Sequence, residues 1–435
     1  MTEALDHPAP VKRPLRIVIG ADTFAPEING AAIFTARLAA GLVERGHDVH
    51  VVAPAVHWRK NGIFCEAHEG QKFTVHRLFS LRWYPHPWLR FAMPWRIEQN
   101  AARILDSVKP DVVHFQSHII IGRGLANQAG KRGIRVIGTN HIMPENMLEF
   151  TLLPRSWQAP AVAAAWRAAA RSFGRAEAVT TPTRKAADFL EAHTKLRGVY
   201  AISCGIDARN YTPNFEPRSD NLILFVGRIT GEKQLDKLIR AFALLRHDLN
   251  ATLELVGGGD QENNLKSLAS SLGVRDRVHF AGYVETAYLR AALTRATVFA
   301  MPSIAELQSI ATMEAMASGL PVVAANAMAL PHLVHHGENG FLFEPGNVEE
   351  FAARLTDVLT MPEDDLRFFK QESLKIIEAH DIQRTLDTFE ALYRGELVSD
   401  TIVEPVRSTR AVWRERLSRL RDGEKGRDDG LQAVS

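Results

Sequence analysis

Leu222-Ile-Leu-Phe-Val-Gly-Arg-Ile-Thr-Gly-Glu-Lys233, followed by the helix-like stretch Leu235-Asp-Lys-Leu-Ile-Arg-Ala-Phe242, sets how this chain is read. The apolar run Leu222–Val226 reads as a strand feeding a glycine turn and a helix start. In that turn Gly227 lets backbone approach a ligand, and the helix start offers free N–H groups. Arg228 and Lys233 add two cations five residues apart. Together these parts suit a diphosphate. A solvated surface loop is the plain alternative for basic residues beside glycine, so the weight falls on the residues that accompany them.

A second constellation lies in Met301-Pro-Ser-Ile-Ala-Glu306-Leu-Gln-Ser-Ile-Ala-Thr-Met-Glu314, which continues to Gly319-Leu-Pro321. Glu306 follows a strand end and Glu314 lies eight positions on, inside a helix that Gly319 and Pro321 stop. Eight helical residues span a little over two turns, so the pair is expected to grip one ligand at two heights. Glu306 and the amides of Leu307, Gln308 and Ser309 would face a sugar and phosphate, and Glu314 would accept from ribose hydroxyls. A capping carboxylate plus a surface glutamate is the competing reading.

Gly227–Lys233, Leu253-Glu-Leu-Val-Gly-Gly-Gly-Asp260 and the Glu306/Glu314 pair resemble the nucleotide-sugar-dependent glycosyltransferases of family four. The similarity runs from about Leu15 to Tyr393 and resembles the glycolipid-synthesising members. The resemblance implies the GT-B fold, an α/β architecture of two doubly wound parallel-sheet domains facing across a cleft, and a retaining reaction. It also implies that Arg228 and Lys233 hold the donor diphosphate beside Gly227 and Gly257, with Glu306 on the transferred sugar and Glu314 on the ribose. In Phe24-Ala-Pro-Glu-Ile-Asn-Gly30 the chain is similar to the family's proline-and-glycine loop, which places Gly30 against the donor phosphate.

The histidine of the sugar site stays open between two positions. In Val113-His-Phe-Gln-Ser-His118, Gln116 stands where the family often carries histidine, and His118 follows two residues later. His141, in Thr139-Asn-His-Ile-Met, ends the next strand and is the second candidate; His114 reads as a hydrogen-bonded structural residue. Arg228, Lys233, Glu306 and these histidines form the expected catalytic set. No Asp-x-Asp motif occurs, so neither a metal nor a cofactor is expected, and fixed cations are left to stabilise the departing diphosphate. UDP-hexose and GDP-hexose remain equal as donors.

The chain has 435 residues, enough for two or three domains, with 52 basic and 50 acidic side chains. A net charge of +2 gives no reason to expect nucleic acid as a partner. Cys65 and Cys204 are the two cysteines, too few for a disulfide framework. No stretch reaches the ~20 apolar residues of a membrane span. The expected location is therefore the cytoplasm, peripheral on the inner face of the membrane.

Strands and helices alternate in both halves, from Leu15–Gly20 to Val199–Ile202 and again from Leu222–Val226 to Gly340–Phe343. The expected organisation is an N-terminal tail (1–14), an acceptor-binding domain (15–203) and a nucleotide-sugar domain (204–375). The last helices, from Phe369 to Tyr393, are expected to cross back, with 376–396 as the crossing segment, and a basic amphipathic or disordered tail (397–435) follows. Between Arg77 and Arg96 lie four arginines, three tryptophans and no carboxylate, a mixture suited to an anionic lipid surface. The tail adds Arg410, Arg414, Arg416, Arg419 and Arg421 with Trp413. An anionic membrane and a lipid acceptor are thus the expected partners. A GT-B-shaped nucleotide-sugar epimerase, a soluble-acceptor glycosyltransferase and a non-catalytic nucleotide-sugar sensor are the rival readings, separated by turnover without acceptor and with lipid or soluble acceptors.

Overall fold

The computed structural model describes residues 13–82, 90–147, 154–218 and 220–401. Residues 1–12, Trp83, Tyr84, Trp88 and the basic tail from residue 402, which is expected to meet a membrane, lie outside the described residues.

The strands run β1 (Arg16–Gly20), β2 (Asp48–Pro54), β3 (Gly62–His68), β4 (Gln71–Leu78), β5 (Ser80–Arg82), β6 (Arg90–Ala92), β7 (Val112–Phe115) and β8 (Arg135–Thr139). Then come β9 (Ala178–Thr181), β10 (Tyr200–Ala201), β11 (Asn221–Val226), β12 (Ala251–Val256), β13 (Val278–Gly282), β14 (Val298–Met301), β15 (Val322–Ala325) and β16 (Gly340–Phe343). The first sheet has the order β10-β9-β8-β7-β1-β2-β4-β3, the second β13-β12-β11-β14-β15-β16. Every pairing in both is parallel except β3 against β4. Leu222, Ile223, Leu224 and Phe225 of β11 are all buried, as a strand covered on both faces requires. The strand order reverses beside β1 in one sheet and beside β11 in the other, and crevices open at such points.

Two expectations change. The stretch from Lys72 to Arg96 is not a membrane loop throughout: Gln71–Leu78 is an interior strand, and Ser80–Arg82 pairs with Arg90–Ala92. Arg77 is buried, donating to Glu66 at 2.6 Å and to the carbonyls of Ala25 and Pro54, so it cannot meet a lipid headgroup. A charge in that position needs a partner, and Glu66 on the neighbouring strand supplies it. The crossing back also begins later than Phe369. Helix Glu363–Ile377 stays on the second half, where Ser373 donates to the Leu320 carbonyl at 2.8 Å. The next helix, Ile382–Arg394, is the one that packs on the first half: Tyr393 meets His114 at 2.7 Å, and Arg45 bonds Asp387 and Glu390. Among the described residues no helix is long and apolar enough to cross a membrane. Cys65 is exposed, Cys204 buried, and both are free thiols.

Candidate functional site

The crevices of the two sheets meet in one cavity of about 560 Å³. Its first-half wall carries Gly30, Arg37 and His141; its second-half wall carries Gly227, Arg228, Lys233, Gly257, Glu306, Leu307, Gln308, Ser309 and Glu314. The second wall is built by the loops that leave β11, β12 and β14. Gly257 has φ of 126° and a Cβ there would sit 2.0 Å from the Gly227 carbonyl oxygen. Only glycine lets these two loops touch, which brings the backbone after β12 against the phosphate-type turn after β11. On the other wall, Asn29 caps helix Gly30–Glu44 by accepting from the Ala32 amide at 2.9 Å, which sets Gly30 at the cavity edge.

The cations are paired with acids. Lys233 bonds Glu306, and Arg228 lies 3.1 Å from Glu232. Glu314 takes Arg37 at 2.6 Å and the Tyr211 hydroxyl at 2.9 Å, both on the same oxygen. Three cations thus face three carboxylates, a balance that neither pair of motif residues revealed by itself. Glu232 sits inside the turn between Arg228 and Lys233, where the sequence reading gave it no role. Arg37 and Tyr211 come from the first half and the connecting segment, with no local signal to single them out.

Glu306 precedes the helix that carries Glu314. The helix starts only at Ile310, with Ser309 as its N-cap bonding Thr312 N at 3.3 Å. Glu314 is therefore in the second turn, about 7.5 Å along the axis from the cap. The Gln308 side chain, as distinct from the backbone amide expected at the ligand, is held within the protein: Oε1 accepts the Cys204 amide at 2.7 Å and Nε2 donates to Ser203 Oγ at 3.1 Å. Ser203 Oγ in turn lies 2.8 Å from His380, at the start of the crossing back. The loop carrying Glu306 is thereby tied to both strands of chain that join the halves.

The two histidines separate. His118 does not line the cavity; it is buried against Phe173, ring centroids 5.6 Å apart, and burial lowers its pKa to about 4. The chain turns after β7 so that Ile119, not His118, reaches the cavity wall. His141 does line it, and burial pushes it down to about 3, so it is a neutral imidazole. Its Nε2 donates to Gln116 Oε1 at 2.9 Å, which leaves Nδ1 as a hydrogen-bond acceptor. Gln116 is buried and serves His141 rather than a ligand. His114 is structural, held by Tyr393 and Thr139 at 2.7 Å each.

Comparison with known proteins agrees with the two-sheet fold. Residues 28–210 match the model of Glycosyltransferase Family 4, and residues 209–373 match that of Glycosyl transferases group 1. The chain is a family-four glycosyltransferase of the GT-B fold. An uncharacterised glycosyltransferase of Methanocaldococcus jannaschii is 37% identical to this glycosyltransferase over 141 residues, 32% of this chain and 36% of the relative. The MMP alpha-(1->4)-mannosyltransferase of Mycolicibacterium hassiacum is 25% identical over 390 residues, 84% of this chain and 94% of that one. Among solved structures, sucrose-phosphate synthase of Thermosynechococcus elongatus has the same fold, with a TM-score of 0.74 at 18% identity over 87% of this chain and 99% of the other. Anabaena HepE in complex with UDP gives 0.67 at 18% identity, over 88% of this chain and 100% of the other.

Proposed function

We propose that this glycosyltransferase moves a hexose from a nucleoside-diphosphate sugar to a membrane lipid or glycolipid, retaining the anomeric configuration. The observation that carries this reading is the single cavity holding Arg228, Lys233, Glu306, Glu314, Gly30 and His141. Arg228 and Lys233 would receive the diphosphate, with the turn at Gly227 letting backbone come close to it. When they do, Lys233 exchanges Glu306 for a phosphate oxygen and frees that carboxylate to accept from the sugar hydroxyls. His141 Nδ1 accepts from another sugar hydroxyl. Loss of the C1–oxygen bond sends its electron pair to the diphosphate, whose growing charge the two cations stabilise more than in the ground state. The acceptor oxygen attacks C1 from the same face, and its proton passes to the departing phosphate oxygen.

Two further points support the choice of substrates. One relative, from Mycobacterium tuberculosis, is named a GDP-mannose-dependent alpha-(1-6)-phosphatidylinositol monomannoside mannosyltransferase, 25% identical over 79% of this chain, so GDP-mannose is the first donor to try. The first half also exposes Trp58, Ile63, Leu81 and Trp95 beside the exposed cations Arg59, Lys60, Arg82 and Arg96, a surface suited to anionic lipid. The test is a donor panel read by thermal shift, then turnover with lipid extract and assignment of the product anomer by NMR. An inverted product, or no transfer from any nucleotide sugar, rejects the proposal. Failure to co-sediment with anionic vesicles at low salt removes its lipid part.

A further inference from the structure

Arg37 is a cation that helix Gly30–Glu44 of the first half presents to the second half's Glu314. Both side chains are largely withdrawn from water, at 18% and 8% exposure. Their bond uses Nη2 of the guanidinium and Oε1 of the carboxylate, and Tyr211 donates to that same oxygen. Two groups are left over. Arg37 Nη1 is buried and has no hydrogen-bond partner among the described residues. Glu314 Oε2 receives no hydrogen bond from any described side chain or amide. A buried N–H without an acceptor is costly, and proteins seldom leave one so.

The leftovers are one donor and one acceptor on a pair of side chains already clamped together at the cavity wall. A vicinal diol complements that pair: one hydroxyl donates to the carboxylate and its neighbour accepts from the guanidinium. We propose that Arg37 is a donor-specificity residue, reading one ribose hydroxyl of the nucleotide while Glu314 reads the other. This rests on the assignment of Glu314 to the ribose. It adds that the first half takes part in nucleotide recognition through a side chain, and that loss of either ribose hydroxyl is felt by a different half of the protein. Tyr211 is the positioning residue, since its bond holds Oε1 and keeps Oε2 for the ligand.

The test is isothermal titration calorimetry on the full chain with UDP, GDP and their 2′-deoxy and 3′-deoxy counterparts. For whichever nucleotide binds, each deoxy analogue is expected to bind the wild type about tenfold or more weakly. In Arg37→Met the penalty for one analogue, and only one, should fall below about threefold. Arg37→Lys keeps the charge opposite Glu314 and so protects the fold, but has one nitrogen in place of the two-pronged fork and cannot present a donor where Nη1 stands; it should lose the same discrimination. If both variants keep the wild-type ratios for both analogues, Arg37 is an inter-lobe strut and the proposal is wrong. If the wild type binds neither UDP nor GDP, the donor-site reading itself has failed, a result distinct from unchanged ratios.

Discussion

Replacing Lys233 by Met removes one partner of a pair whose side chains are only 15% and 10% exposed. Glu306 is then left with its charge in a poorly solvated loop. Breaking a fully buried pair costs about 3–5 kcal/mol, and the residual exposure puts the present loss near the lower end, about 3 kcal/mol. Spread over a chain of 435 residues, at ~2.1 cal/mol/K of unfolding entropy per residue, that is a fall of roughly 3 °C in the thermal midpoint. Lys233→Met/Glu306→Gln removes both charges and should recover at least half of the loss, because the cost belongs to the stranded carboxylate rather than to the missing ammonium. The function then separates from the stability. Wild type should be stabilised by the nucleoside diphosphate it uses, whereas the double variant, with its fold restored, should gain little from the same nucleotide. Thermal melts of the four proteins of the cycle, with and without nucleotide, read both effects. A Lys233→Met midpoint within about 1 °C of wild type would falsify the idea that this lysine holds Glu306 in place. A double variant stabilised by nucleotide as strongly as wild type would remove Lys233 from the diphosphate site.

His141→Asn should lower kcat by about ten- to a hundredfold through loss of an acceptor at the sugar, while His118→Asn should leave kcat within about threefold and show its effect in thermal stability instead; equal kcat losses would return His118 to the site. Burial pushes the Glu27 carboxyl, on the cavity wall, up to about 8 against the opposing pull of Arg90 and Arg77. The unfolded chain titrates near 4.5, so the folded state holds an extra proton between these values and its stability falls as pH rises from about 4.5 to about 8. Glu27→Gln cannot ionise and should gain on wild type across that window; a midpoint difference that is the same at about pH 5 and about pH 8.5 contradicts this. Gln308→Leu, which strands the Cys204 amide, should raise KM for the donor and lower kcat together, with Gln308→Glu recovering part because a carboxylate still accepts that N–H. A loss of stability with both kinetic constants unchanged would show that Gln308 is packing alone.

The fold was legible because parallel strands buried on both faces leave long apolar runs, and Leu222–Val226 is such a run. The hairpin of Gly62–His68 with Gln71–Leu78 was not legible. Its edge strand is exposed along most of its length, so Gly62-Ile-Phe-Cys-Glu-Ala-His68 lacks the alternation of a half-buried strand. The glycine turns announced the cleft since Gly257 meets Gly227 backbone to backbone, a contact no other residue permits. Misreading Arg77 as a lipid-facing cation had a physical cause too. Its composition matched a basic aromatic loop, and only pairing across strands with Glu66 reveals that the charge is internal.

Apart from the β3–β4 hairpin, local pattern was enough to specify most of the strands and helices, their alternation along the chain and the loops that end at one edge of each sheet, because each of these depends on near neighbours. Which side chains share the cavity was settled only by packing the two halves together. Arg37 and Glu314 are 277 positions apart and meet only when those halves face each other. His118 sits just past a strand end beside Gln116 yet does not line the cavity, since direction there is set by packing rather than by neighbours in the chain. Contacts between distant segments carry no local signature, and the specificity of this cleft lies in them.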